Sequence, residues 1–352
     1  AGLGRFTLTV AGETLFDGEQ ELEGSDPFEL LFGAPTDRGA VELKANETVD
    51  VILRHTPVKV AEAPIDVISF SLGHIEPQRD PEELMLEAVD AASRADVAVV
   101  VVATTEQVES EGFDRTTLAL PGRQDELVSR VAAANPRTVV VVNAGAPVEM
   151  PWRDEAAAVL LAWFPGQEAG AALADVLTGA DEPGGRLPTT WPAALEDCPV
   201  TDVTPVDGRL RYNEDLFIGY RAWDRAPAAP AYPFGHGMGY TTWEYEGASM
   251  DGAIVTVRVR NTGSRTGREV VQAYLAPVDP PQGRPDRVLA GFATAEAAPG
   301  ATAAATITLS RRAFEAWDED RRDWVRPPGG YELQLGSSSA SLPLSVRIAA
   351  AE

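Results

Sequence analysis

Hydrophobic and polar positions change their pattern twice along this chain. Near the start, Phe6, Leu8 and Val10 alternate with polar residues, Ala11-Gly12 supplies a turn, and residues 13–16 continue the pattern. Val41 and Leu43 alternate in the same way, Asn46 sits in a turn, and Val49, Val51 and Leu53 alternate again. A period of two with short polar turns predicts an antiparallel sheet with one wet face over residues 1–77. Four or five strands are few for a sandwich, and the first eight residues read as a strand entry without the basic and apolar regions of a signal peptide. The expectation is that a partner segment lies upstream.

From Pro81 the period lengthens. Pro81-Glu82-Glu83 opens a helix with proline and acids in its first turn, and Leu84, Val89 and Ala92 recur at helical spacing as far as Arg94. The apolar run 97–102 predicts a buried strand ending in Ala103-Thr104-Thr105. A helix over 124–135 is stopped by Pro136, and a second buried strand covers 139–142. The apolar run 158–164 then leads into a helix over 167–177 that ends at Gly179. Buried strands alternating with helices predict a mainly parallel sheet covered on both faces. A connector rich in proline and glycine follows over 196–240. Beyond it Val255, Val257 and Val259 alternate up to Asn261-Thr262-Gly263, with further strands over 270–275, 306–309 and 331–335, the spacing of an immunoglobulin-like sandwich. The fold class is multidomain α/β plus β, divided at 1–77, 78–240 and 241–352.

Composition narrows the partners. The 352 residues are 44% hydrophobic and 24% charged, with 54 acidic against 29 basic residues and a net charge of −25. Such a surface repels phosphate backbones and anionic lipid, so neither nucleic acid nor membrane is an expected partner, whereas a neutral sugar fits the field. No apolar run approaches the roughly 20 residues of a membrane helix. Cys198 is the one cysteine, which rules out an internal disulfide and zinc sites built on several thiolates. His55, His74 and His236 are widely scattered, so no metal or cofactor is expected. Secreted and cytoplasmic locations both stay open.

The densest polar constellation follows the first buried strand: Glu106-Gln107-Val108-Glu109-Ser110-Glu111-Gly112-Phe113-Asp114-Arg115. Open parallel sheets carry functional loops at the carboxyl ends of their strands. A carboxylic acid that donates a proton needs a raised pKa, from partial burial or neighbouring negative charge. This cluster could supply both, and Asp114 paired with Arg115 could hold its shape; spacing alone favours a solvated acidic loop. Other features read as structural: the Gly235, Gly237 and Gly239 turn, His236 within it, and Trp152, Trp163 and Trp191 as core. Asn46-Glu47-Thr48 fits a glycosylation acceptor, a frequent chance match.

Taken in order, Glu109-Ser110-Glu111-Gly112-Phe113-Asp114-Arg115 with Leu118-Ala119-Leu120-Pro121 resembles the acid/base loop of family 3 glycoside hydrolases. Asn143-Ala144-Gly145-Ala146-Pro147-Val148-Glu149, Trp163-Phe164-Pro165-Gly166-Gln167-Glu168, Gly184-Gly185-Arg186-Leu187-Pro188 and Gly219-Tyr220-Arg221 continue the resemblance. So does Tyr232-Pro233-Phe234-Gly235-His236-Gly237-Met238-Gly239-Tyr240. The resemblance covers residues 80–350. It implies an α/β sandwich domain followed by a fibronectin type III-like domain. Residues 1–77 are similar to the second half of a protective-antigen-type β-sandwich that one branch of the family inserts into the α/β domain.

The resemblance also implies a retaining mechanism on a β-glucoside, with two carboxylates. The acid/base falls on Glu111, with Glu109 as runner-up, and the nucleophile on an N-terminal barrel of the same polypeptide or a companion chain. Asp114 and Arg115 shape the loop. Leu30-Leu31-Phe32-Gly33-Ala34-Pro35 is similar to an insert loop that reaches the aglycone side, so Phe32 is a candidate substrate contact, or else an edge of the β core. Alternatives are the same mechanism on a glucosylated macrolide-type product, a xyloside or a glucosaminide, and, from another class, a non-catalytic carbohydrate-binding or scaffolding chain. A homodimer is left open.

Overall fold

The computed structural model describes residues 4–20, 36–57, 70–76, 79–105, 108–110, 113–201, 203–280 and 283–349. The chain divides into two compact units, residues 1–116 with 121–139, and residues 117–120 with 140–352.

In the first unit, β1 (Gly4–Val10), β2 (Glu13–Gln20) and β3 (Val51–Thr56) form an antiparallel sheet of order β2-β1-β3. The β1–β2 hairpin turns through Ala11 and Gly12, at φ 52° and 80°. Two residues with positive φ give the turn twist that antiparallel strands favour. Phe6 and Val10 are buried, and Phe6 stacks on its cross-strand partner His55 at 4.2 Å. Asn46 lies in a turn with φ 62°. Val41 and Leu43, expected in a strand, lie in irregular chain instead. Their alternation has no pairing partner among the described residues, and Leu43 is exposed.

Helix α1 (Pro81–Arg94) starts where its proline and acids predict, with Asp80 capping the Glu82 amide at 2.7 Å. The buried face agrees with the expected stripe at Ala92 and departs from it at Leu84. Met85 and Ala92 are buried, whereas Leu84 is 45% exposed; the stripe runs one residue later than the leucine suggested. Helix α2 (Gln124–Ala134) buries Val128, Val131 and Ala132. The side chain of Asn135, just past its end, donates to the Ala92 and Ala95 carbonyls at 3.0 and 2.9 Å and accepts from the Arg137 amide at 2.9 Å. One buried amide thus stops α2 and holds the end of α1. Strand β4 (Ala98–Ala103) is buried only on alternate residues: Ala98, Val100 and Val102 are covered, while Val99 and Val101 are exposed. The continuous apolar run therefore did not mean cover on both faces among the described residues.

A mainly parallel, three-stranded sheet is built from β4, β5 (Thr138–Asn143) and β6 (Ala158–Leu161). Helix α2 joins β4 to β5, the kind of crossover that parallel strands need. In the second unit Val140, Val141 and Val142 are buried, as are Val148, Trp152 and Trp191. Helix α3 (Ala169–Thr178) ends at Gly179 with φ 77°. The connector carries a short helix, α4 (Tyr220–Trp223), and is stitched to its surroundings: Trp191 and Tyr232 exchange backbone bonds of 2.8 and 3.1 Å. Gly237 lies so close to the Gly185 carbonyl that a Cβ there would sit 2.3 Å from the oxygen, so the turn around His236 requires glycine.

The C-terminal sandwich pairs β7 (Trp243–Asp251), β8 (Ile254–Asn261) and β11 (Thr302–Thr308) in one sheet of order β11-β8-β7. The other sheet contains β9 (Gly267–Pro277), β10 (Val288–Ala297), β14 (Tyr331–Gly336) and β15 (Leu344–Ile348), ordered β10-β9-β14-β15. Val255, Val257 and Val259 face Val271, Ala273, Leu333 and Leu335 across the core. A separate hairpin is formed by β12 (Ala316–Asp318) and β13 (Asp323–Val325).

Candidate active site

The loop after β4 is held by groups on both of its flanks. Gln124, the first residue of α2, donates its side-chain amide to the Ala103 carbonyl at 2.9 Å and accepts from the Ala103 amide at 2.8 Å. It also donates to the Pro121 carbonyl at 2.9 Å. A side-chain amide thus substitutes for a neighbouring strand at the last residue of β4 and fixes where the loop departs. Sequence reasoning missed this residue, because it placed Gln124 only as a helix start.

Immediately beyond, Thr104 is buried and donates its hydroxyl to the Glu109 carboxylate. The amides of Val108 and Glu109 both donate to the Thr105 carbonyl at 2.9 Å. Glu109 is half-buried and tied back to the strand end, which gives it a structural task. Glu111 follows two residues later and lies outside the described residues, as does Phe32. Phe113 and Asp114 are exposed and Arg115 is half-buried. The structure therefore positions Glu109, Asp114 and Arg115 on this loop and gives no geometry for Glu111 or Phe32.

The second strand ends in the Asn143 block. Leu118 accepts from the Glu149 amide at 2.8 Å, the Glu149 carboxylate accepts from the Leu195 amide at 2.8 Å, and Trp191 donates its indole N–H to the Val148 carbonyl at 2.6 Å. The motif residues are thus fastened by backbone groups. Asn143 Oδ1 and Thr190 Oγ1 are buried without a hydrogen-bond partner among the described residues, the kind of group that wants a water or a ligand. At the end of β6, Trp163 takes φ 55°, a strained conformation for a bulky residue and one that concentrates at functional sites. Its ring meets Trp191 edge to face at 6.0 Å. Trp152 and Trp191 are core, as expected, while Trp163 is half-buried and Phe164 is 57% exposed. Each of the three strands is therefore followed at its carboxyl end by one of the motif blocks, in keeping with the rule for open parallel sheets.

His236 stacks against Tyr232 at 5.1 Å. Burial, and then the Arg186 guanidinium, hold its pKa below the ordinary range, so it is a neutral packing element. Among the described residues no three His, Cys, Asp or Glu side chains converge on a metal position.

Comparison with known proteins joins these observations. The profile of the glycosyl hydrolase family 3 C-terminal domain matches residues 16–240, and that of the fibronectin type III-like domain matches residues 269–339. A beta-glucosidase of Rhizobium radiobacter is 39% identical, over 99% of this chain and 43% of its own length. Beta-glucosidase B of Emericella nidulans is 38% identical, over 99% and 44%. Among solved structures, a beta-glucosidase from Kluyveromyces marxianus superposes with a TM-score of 0.84 at 29% identity, covering 99% of this chain and 42% of its own. DesR, a beta-glucosidase from Streptomyces venezuelae in complex with D-glucose, gives 0.72 at 38% identity, covering 77% and 36%. The chain thus spans less than half the length of the relatives it matches. It belongs to the family 3 glycosyl hydrolases, as their C-terminal domain followed by a fibronectin type III-like domain.

Proposed function

We propose that this chain supplies the acid/base part of a retaining β-glucosidase. In this reading Glu111 protonates the glycosidic oxygen as the bond breaks and later takes a proton from the attacking water. The nucleophilic carboxylate resides in an N-terminal barrel, of the same polypeptide or of a companion chain, and forms the covalent glycosyl-enzyme. Residues 1–77 serve as part of an inserted β-sandwich and bring Phe32 to the aglycone side, while Asp114 and Arg115 shape the acid/base loop.

The observation that carries this reading is the state of Glu109. Its carboxylate accepts from Thr104, just past the end of β4, so Glu109 is committed to loop structure. The names of the relatives support the activity.

The test is Glu111→Ala in the polypeptide that carries both parts. Loss of general acid catalysis costs typically about 10²–10⁴-fold, and that loss should be largest on poor leaving groups such as cellobiose. A dinitrophenyl glucoside leaves unaided, so its covalent intermediate should accumulate, and added azide should restore turnover with release of β-glucosyl azide. Rescue of Glu109→Ala in place of Glu111→Ala would move the role by two residues. Rescue of neither would remove it from this loop.

A further inference from the structure

The C-terminal sandwich carries an aromatic and charged constellation that none of the family motifs uses. The β12–β13 hairpin stands outside both sheets, and Trp317 faces Trp324 across it. The rings meet edge to face at 5.8 Å and remain 44% and 40% exposed, whereas Trp152 and Trp191 are 0% and 1% exposed. The Arg312 guanidinium lies 4.0 Å over the Trp324 ring, and Arg284 donates to the Trp317 carbonyl at 3.0 Å. Trp324 is thereby pinned, the hairpin backbone is tethered, and Trp317 is left as the more open indole.

The root of this hairpin opens on a cavity of about 580 Å³, within the range of small-ligand sites. Met250, Leu309 and Ile348 are among its apolar lining, and Arg311, Glu315 and Arg326 are among its charged lining. Glu315 is nearly covered, with 6% of its side chain exposed, and is paired with Arg311 at 2.5 Å and Arg312 at 3.5 Å. Arg326 lies 4.7 Å over the Phe314 ring. Both arginines are exposed, Arg311 beside the Glu315 carboxylate and Arg326 over the Phe314 ring, and the planar guanidinium fork suits paired hydrogen bonds to neighbouring hydroxyls better than an ammonium would. The local charge is balanced: residues 311–326 contain five arginines and five acidic residues, on a chain of net charge −25. A neutral ligand is not repelled there, and an anionic one gains nothing from the field of the whole chain.

We propose that the Trp317–Trp324 hairpin and the cavity at its root form a binding site for a neutral glycan. One pyranose ring stacks its C–H face on the Trp317 indole, and adjacent hydroxyls accept from Arg311 and Arg326. No covalent step is involved, and the site stands whether or not Glu111 is the acid/base.

The experiment is native electrophoresis of the whole 352-residue chain through gels containing hydroxyethylcellulose or laminarin, with carboxymethylcellulose as the anionic arm. The neutral glucans should retard the chain and the anionic one should not do so more strongly. Trp317→Ala should weaken retardation about five- to tenfold, the scale of one ring-stacking contact, and Trp317→Phe should keep part of it. Equal thermal melts would establish that the variants are folded. As a measurement that needs no variant, cellotetraose should change the tryptophan fluorescence of the unaltered chain. Unchanged mobility in both neutral glucans, or a Trp317→Ala chain retarded like its parent, overturns the proposal. So does stronger retardation by carboxymethylcellulose, which would make this an anion site. A dimer in light scattering that Trp317→Ala dissolves would make the hairpin a contact between copies, and also overturns it.

Discussion

Arg186 and Glu269 are an ionic pair taken almost wholly out of water, with 9% and 7% of their side chains exposed and 3.8 Å between the charged atoms. Tyr245 donates to the same carboxylate at 3.2 Å. Burial pushes the Glu269 carboxyl above its ordinary range, against the pull of the Arg186 guanidinium. A raised carboxyl favours the protonated folded state, so its contribution to stability is fully present below the unfolded pKa and is lost as pH rises through the folded one. Removing Arg186 leaves a charged carboxylate uncompensated. Because the pair is long and not directly hydrogen-bonded, Arg186→Met should destabilise by about 3 kcal/mol at pH 7, the lower end for breaking a buried pair. The loss should shrink at a lower pH, where Glu269 takes up a proton. Urea unfolding at the two pH values measures it; an equal loss at both would mean that lost packing, not charge, sets the cost. None of this was legible in the sequence, where Arg186 appeared only inside a motif and Glu269 lay just before the expected strand over 270–275. The same holds for Gln124 and Asn135: each satisfies backbone groups that the fold, not the spacing, brings to it. Glu111 and Phe32 are the reverse case, being known through their motifs alone.

At the scale of elements, α1 and α2 are clamped by four charged residues. Glu82 pairs with Arg123 at 2.7 Å and Arg130 at 2.8 Å, and Glu126 pairs with the same two arginines at 2.7 and 3.2 Å. Arg123, followed by Arg130, holds Glu82 below the usual carboxylate range, and Arg123 above all draws Glu126 down to about 2. A depressed carboxylate contributes stability above its unfolded pKa and loses it as pH falls through the folded value. These groups are wet, so the effect is small and screened by salt. Glu126→Gln should lower Tm by no more than about 2 °C at neutral pH and low salt, and the difference should vanish in molar salt or near about pH 2. A difference that survives both conditions would assign Glu126 to helix propensity instead. The element pattern itself was largely readable. Pro81, Glu82 and Glu83 located the start of α1 to the residue, and the valines of β8 foretold the sandwich core. Strand β10 escaped notice because Val288-Leu289-Ala290-Gly291-Phe292-Ala293 has few branched side chains and a bulge between Leu289 and Gly291 interrupts its register. The helix face was misjudged at Leu84 because a single leucine outweighed Met85 one position later.

For the whole molecule, the proposed division of labour has a direct consequence. A double displacement needs one carboxylate to attack the anomeric carbon and another to manage the proton, on opposite sides of the scissile bond. In the reading argued above this chain carries the second and not the first, and it spans 43% of the Rhizobium radiobacter relative and 44% of the Emericella nidulans one. The 352 residues alone should therefore fold, yet leave p-nitrophenyl β-glucoside unhydrolysed, because this substrate still requires a nucleophile even though it barely needs the acid. The remaining segment, supplied on the same polypeptide, should give hydrolysis whose kcat/KM, which reports the glycosylation step, Glu111→Ala reduces only modestly on this good leaving group and far more on cellobiose. The ratio of the two losses is the informative quantity, since a merely misfolded variant would lose both substrates equally. Steady hydrolysis of the aryl glucoside by the 352 residues, retained after repurification and abolished by a substitution within them, would show that both carboxylates lie in this chain and would end the proposed division.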